Sequence, residues 1–189
     1  MIRDGSGSMT WNKIGNTGCE PIDFATSLAI FFAEHSKGEF RDKFITFSSR
    51  PQFVDLSDCN SLREKIWKTY RYSDCSNTNL EATFDLILDT AIRHNLTQED
   101  LPKNLLIVSD MQADRGSSNP YTTLMEAIEK KYASHGYKLP CLVWWNLCGT
   151  DNTVFPQIKG NCVLISGFSQ NNYKAIMSGV YDPWESLLT

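Results

Sequence analysis

The sequence predicts an α/β fold, a doubly wound and mostly parallel sheet with helices on both faces. Two observations carry that expectation. Leu105–Val108, Leu142–Trp145 and Cys162–Ile165 are short, continuous apolar runs, as strands buried on both faces of a sheet must be. Stretches with helical spacing of apolar residues separate them. Strands alternating with helices make βαβ units, and right-handed crossovers place helices on both sides.

Each element can be read in order. Pro21 opens a helix with Phe24, Leu28 and Phe31 on one apolar face. Proline suits a first helical turn, where its missing N–H costs little. Residues 43–48 are rich in β-formers and read as a strand, with 52–56 pairing beside it. Helices follow over 61–70 and 79–94, the second placing Leu80, Phe84, Ile87 and Ala91 on one side. Beyond the run at 105–108, a helix over 121–134 leads to the second run, and a last helix over 170–178 follows the third. No repeat or linker interrupts the pattern, so residues 1–189 read as a single domain.

Composition bounds the function. With 41% hydrophobic and 12% aromatic residues the chain can build a packed core. A net charge of −4 argues against direct nucleic-acid binding and against an anionic membrane surface, both of which call for a basic excess. No apolar run reaches the ~20 residues that span a bilayer, and the N-terminus lacks the pattern of a signal peptide. The six cysteines, at 19, 59, 75, 141, 148 and 162, form no C-x-x-C pair. They read as reduced structural thiols, which implies a cytoplasmic protein. Asn95-Leu96-Thr97 fits a glycosylation pattern that arises often by chance.

The segment richest in chemistry is Asp4-Gly5-Ser6-Gly7-Ser8-Met9. Oxygen-bearing side chains recur at every second residue, and in an extended loop residues i, i+2 and i+4 point the same way. One carboxylate and two hydroxyls suit a hard cation that prefers oxygen, and suit zinc poorly. Ligands of open α/β sheets bind where strand order reverses, outside the carboxyl ends of the strands. Asp4 ends the first strand and Asp110 follows the Leu105–Val108 strand. If those strands flank the switch point, both carboxylates face one crevice. Thr78, just ahead of the 79–94 helix, lies on a loop that reaches the same place.

Asp4-x-Ser6-x-Ser8, the loop Thr78 and the strand-end Asp110 together resemble the metal-ion-dependent adhesion site of von Willebrand factor A domains. The resemblance covers essentially the whole chain and implies their Rossmann-like fold. Around Ser109-Asp110-Met111-Gln112 the sequence is closer to an uncharacterised branch similar to the A domain of Ro-type ribonucleoproteins. The resemblance implies that Ser6, Ser8 and Thr78 ligate Mg²⁺ or Mn²⁺ directly, with Ca²⁺ less favoured. Asp4 and Asp110 then act through water, and an acidic side chain of a protein partner completes the shell. Binding is expected, with no bond made or broken.

One departure from that family concerns the start. Only Met1-Ile2-Arg3 precedes Asp4, and Arg3 stands where an apolar core residue is usual. The first strand is therefore expected to be truncated, the chain to be a fragment or to begin at an internal methionine, and self-association through that strand to be open to it.

Other features read as structural. Trp144 and Trp145 point to opposite faces of a strand and pack in the core. His35, His94 and His135 sit at helix C-termini, where a partly charged imidazole is favoured. Asp114 reads as a solvated loop carboxylate in preference to a second metal ligand, Gln112 as satisfying loop backbone, and Lys130-Lys131 as a solvated helix face.

Other functions fit these residues less well. Haloacid-dehalogenase-type phosphohydrolases use Mg²⁺ and carry a second aspartate two residues after the first, where this chain has Ser6. A role in ribonucleoprotein assembly follows only from the Ro-like similarity. A serine hydrolase fits less well, because Gly-x-Ser-x-Gly occurs at neither Ser6 nor Ser8.

Overall fold

The computed structural model describes residues 1–11, 13–15, 17–73, 79–110, 118–149, 157–158, 161–179 and 181. Its strands are β1 (Ile2–Asp4), β2 (Lys43–Phe47), β3 (Phe53–Asp55), β4 (Asn104–Ser109), β5 (Cys141–Asn146), β6 (Gln157–Ile158) and β7 (Cys162–Ser166). Its α-helices are α1 (Pro21–His35), α2 (Leu62–Arg71), α3 (Leu80–Arg93), α4 (Ser118–Ser134) and α5 (Gln170–Ser178).

The strands form one sheet in the order β3-β2-β1-β4-β5-β7-β6. The five inner strands run parallel, and β3 and β6 are antiparallel edges. Short β1 is central. Ile2, Arg3 and Asp4 pair with Ile45, Thr46 and Phe47 on one side, and Ile2 and Arg3 pair with Ile107 and Val108 on the other. Its backbone is engaged along both edges despite its length.

Alternation along the strands builds two apolar layers. Ile2, Ile45, Phe47, Leu105, Ile107 and Trp144 meet Phe84, Ile87 and Tyr132 of α3 and α4. Leu106, Val108, Val143 and Trp145 meet Met9 and the α1 residues Ala25 and Leu28. Trp144 and Trp145 are thus buried on opposite faces. The Trp145 indole donates to the Gly167 carbonyl at 3.0 Å, and the Phe24 ring meets it edge-on at 5.3 Å.

The face of α1 keeps Leu28 and Phe24 of the expected one, both against the core, but not Phe31. Phe24 and Phe31 are only half-buried, and Ile22, Ala25, Ala29 and Ala33 form the buried stripe beside Leu28. Small residues let α1 lie close to the sheet, while the bulky phenylalanines reach around its flanks. Phe31 instead stacks on His35 at 4.2 Å.

Side chains start α2, α3 and α5. Ser61 accepts from the Glu64 N–H, Asn79 from Ala82 and Ser169 from Asn172, each cap worth about 1 kcal/mol. The three histidines lie at helix C-termini as expected, with His35 Nδ1 2.7 Å from the Phe31 carbonyl. Cys19, Cys59, Cys141, Cys148 and Cys162 are free thiols; Cys75 lies outside the described residues. Among the described residues no helix is long and apolar enough to cross a membrane.

Candidate functional site

Strand order reverses between β1 and β4. From β1 the chain builds β2 and β3 to one side, then crosses to place β4, β5 and β7 on the other. The carboxyl ends of β1 and β4 therefore border the crevice in which such sheets take ligands. Asp4 ends β1 and Asp110 directly follows β4. Both are buried, at 4% and 6% exposure, and near enough for the Asp110 charge to act on Asp4.

The local chain locks Asp4 in place. One carboxylate oxygen, Oδ1, accepts the Ser6 backbone N–H at 2.9 Å, and Oδ2 accepts the Ser109 hydroxyl. Ser109 lies on the strand row of Leu105 and Ile107, so it faces the same side of the sheet as Ile2 and Asp4. Burial holds the Asp4 carboxyl above the ordinary carboxylate value; the bonds from Ser109 and Ser6 offset this in part, and the neighbouring charge of Asp110 adds to it.

Beyond Asp4 the loop turns through a 3-10 turn, Gly7–Thr10, closed by Met9 N–H to Ser6 and Trp11 N–H to Ser8, both at 3.2 Å. Fully buried Met9 anchors it among the residues under α1. The Ser6 and Ser8 hydroxyls share a hydrogen bond that holds their oxygens 3.0 Å apart.

Gly5 sets the loop's position. A β-carbon there would lie 2.9 Å from the Ser73 α-carbon and 3.0 Å from Arg3 Nη1. Only a residue without a side chain lets the loop nest against the chain leaving α2. Gly5→Ala should therefore cost about 1–3 kcal/mol by overpacking against backbone. A lowered denaturant midpoint with an unchanged slope would check it.

The donor set fits a hard cation. Cis ligands of an octahedral Mg²⁺ shell, at about 2.0–2.1 Å from the ion, lie about 3 Å apart. That matches the observed Ser6–Ser8 separation of 3.0 Å. Two uncharged hydroxyls beside a desolvated carboxylate offer oxygen ligands and no imidazole or thiolate, the chemistry that Mg²⁺, Mn²⁺ and Ca²⁺ prefer over zinc.

Of the five residues expected to form the site, Asp4, Ser6, Ser8 and Asp110 converge at this end of the sheet. Thr78 lies outside the described residues, as do Gln112 and Asp114. Sequence reasoning passed over Ser109, whose hydroxyl holds Asp4. The signal was present: a serine ends the apolar row of alternate residues in β4. It also passed over the fit of Gly5 against Ser73, a contact between distant segments.

An open, mostly parallel α/β sheet whose strand order reverses between β1 and β4 defines a Rossmann-like domain. The chain belongs to the family described as "Domain of unknown function (DUF7788)", matching it over residues 1–185. It is 30% identical, over 194 residues, to an uncharacterized protein of Acanthamoeba polyphaga mimivirus, covering 97% of this chain and 34% of that protein. The chain thus spans about a third of that relative's length. Its fold is similar to that of the Deinococcus radiodurans RO (RSR) protein, with a TM-score of 0.58 at 18% identity over 94% of this chain and 33% of that one. That likeness supports the Ro-like fold read from the sequence.

Proposed function

We propose that the domain is a von Willebrand A-like, metal-ion-dependent protein-binding module. Ser6, Ser8 and Thr78 would hold a Mg²⁺ or Mn²⁺ ion directly, with Asp4 and Asp110 behind bridging waters. The observation that carries this reading is the 3.0 Å approach of the two serine hydroxyls beside a carboxylate already fixed by Ser6 and Ser109. Such an ion, with few anionic ligands in direct contact, keeps positive character and attracts a carboxylate from outside.

This chain's own residues do the positioning. Ser109 and the Ser6 N–H orient the Asp4 carboxylate, and buried Met9 keeps the serine turn in register. The partner is read as a protein presenting an aspartate or glutamate, and the event as binding without chemistry.

An immobilised polyglutamate surface tests the reading. Wild-type protein should be retained in Mg²⁺ and released by EDTA, while Ser8→Ala and Asp110→Ala should pass through in both buffers. Retention that ignores EDTA would sink the proposal, as would Mg²⁺-dependent hydrolysis of a generic phosphomonoester.

A further inference from the structure

The surface of α2 does not match the net acidity of the chain. Its ten residues carry Arg63, Lys65, Lys68 and Arg71 against a single carboxylate, Glu64. Two of these cations are already engaged: Lys65 pairs with Glu34 at 2.6 Å and Lys68 with Asp58. Among the described residues Arg63 and Arg71 pair with no carboxylate. They lie one turn before and one turn after Trp67, which is 61% exposed. Residues i, i+4 and i+8 share one helix face, so two uncommitted arginines about 12 Å apart bracket a bare indole.

The complement of that stripe lies on α3 at the same spacing. Glu81, Asp85 and Asp89 recur at i, i+4 and i+8. The middle carboxylate is taken by Lys131 at 2.6 Å, while Glu81 and Asp89 are exposed and enter no ion pair among the described residues. Arginine–indole–arginine on α2 is thus the complement of the two α3 carboxylates with the Lys131 ammonium of α4 between them. Two outer ion pairs would flank a cation–π contact between the Lys131 ammonium and the Trp67 ring. Trp and Arg are also the residues that dominate interface energetics.

We infer that α2 of one copy docks on α3 of another, a head-to-tail contact independent of the metal site. The two helices pack on opposite faces of the sheet, Ile66 of α2 against the layer under α1 and Phe84 of α3 in the other layer. One pair of molecules cannot use both contacts at once, so the association is heterologous and adds copies head to tail, in a ring or an open chain.

Sedimentation velocity tests this on the whole chain. At about 50 mM salt the weight-average mass should rise with protein concentration; at about 500 mM, where screening is much shorter-ranged, it should fall to the monomer value. EDTA should change neither. Arg63→Glu with Arg71→Glu should remain monomeric, and so should Glu81→Arg with Asp89→Arg. An equimolar mixture of these two variants should associate, because each offers the other a complementary face. Trp67→Ala, which leaves charge untouched, should weaken association at least several-fold. A wild type that is monomeric in low salt, a charge variant that still self-associates, or a mixture that stays monomeric would overturn the inference.

Discussion

Adding Mg²⁺ to EDTA-treated protein should raise its melting temperature, and Asp110→Ala should abolish the rise. A ligand that binds only the native state stabilises it by about 2.7 kcal/mol at a hundred times its dissociation constant. For a domain of 150–250 residues that is roughly 5–10 °C. The fixed geometry sharpens the expectation: Asp4 is held by Ser6 and Ser109 and the serine oxygens stand 3.0 Å apart, so little ordering is left to be done on binding. Asp110→Ala removes a strand-end carboxylate without disturbing the β4 ladder, which ends at Ser109. Its metal-free melt should therefore stay cooperative. The same melting temperature in EDTA and in saturating Mg²⁺, Mn²⁺ or Ca²⁺ would mean that the loop is a structural turn.

The same site gives the response to pH a definite sign. The folded-state pKa of Asp4 is raised, chiefly by burial, so ionising it opposes folding. Without metal that penalty is present above the raised pKa, shrinks as pH falls through it, and is gone below the unfolded value. Asp4→Asn should accordingly melt higher than wild type in EDTA at neutral pH and lose the Mg²⁺ response. With metal the trend reverses, because protons and cation compete for one carboxylate. The Mg²⁺-dependent gain in melting temperature should shrink as pH drops through the raised Asp4 pKa.

Where sequence reading succeeded and where it failed follows from the range of the forces involved. Continuous apolar runs at 105–108, 142–145 and 162–165 had to be buried on both faces, and they became β4, β5 and β7. Oxygen donors at alternate residues around Asp4 were legible because the geometry that gathers them is local. The contributions of Ser109, Gly5 and Arg3 were not, since each depends on segments 66 to 105 residues away meeting at the carboxyl end of β1. Phe31 of α1 was misread for a related reason. Phenylalanine dominates a hydrophobicity pattern, yet close packing against a sheet selects the alanine stripe, and size complementarity is invisible in one helix alone.

Arg3 gives the second large effect, and the choice of replacement decides its sign. The side chain is 1% exposed on central β1. Its Nε donates to the Thr26 hydroxyl of α1 at 3.2 Å and Nη1 to the Thr69 carbonyl of α2 at 3.4 Å. The guanidinium carbon lies 5.6 Å from the Tyr70 ring centroid, and Nη2 has no hydrogen-bond partner. Burial lowers its pKa to about 10, although Tyr70 and Asp4 nearby act the other way, so it stays cationic at neutral pH among mostly neutral groups. Arg3→Ala should cost about 3 kcal/mol, because it leaves a cavity where β1, α1 and α2 meet. Arg3→Met keeps most of the volume and removes a desolvated charge. The Thr69 carbonyl retains the Tyr72 N–H at 3.2 Å, so little is left unsatisfied. A buried charge that has no salt-bridge partner costs stability, and an apolar side chain of similar size removes that cost. Arg3→Met should therefore match or exceed wild type in denaturant titrations and keep its Mg²⁺ response, since Asp4 is oriented by Ser6 and Ser109 and not by Arg3. If methionine proves as damaging as alanine, the positive charge itself holds α2 to the sheet, and the chain leaving α2 beside Gly5 is tethered to the site by that cation.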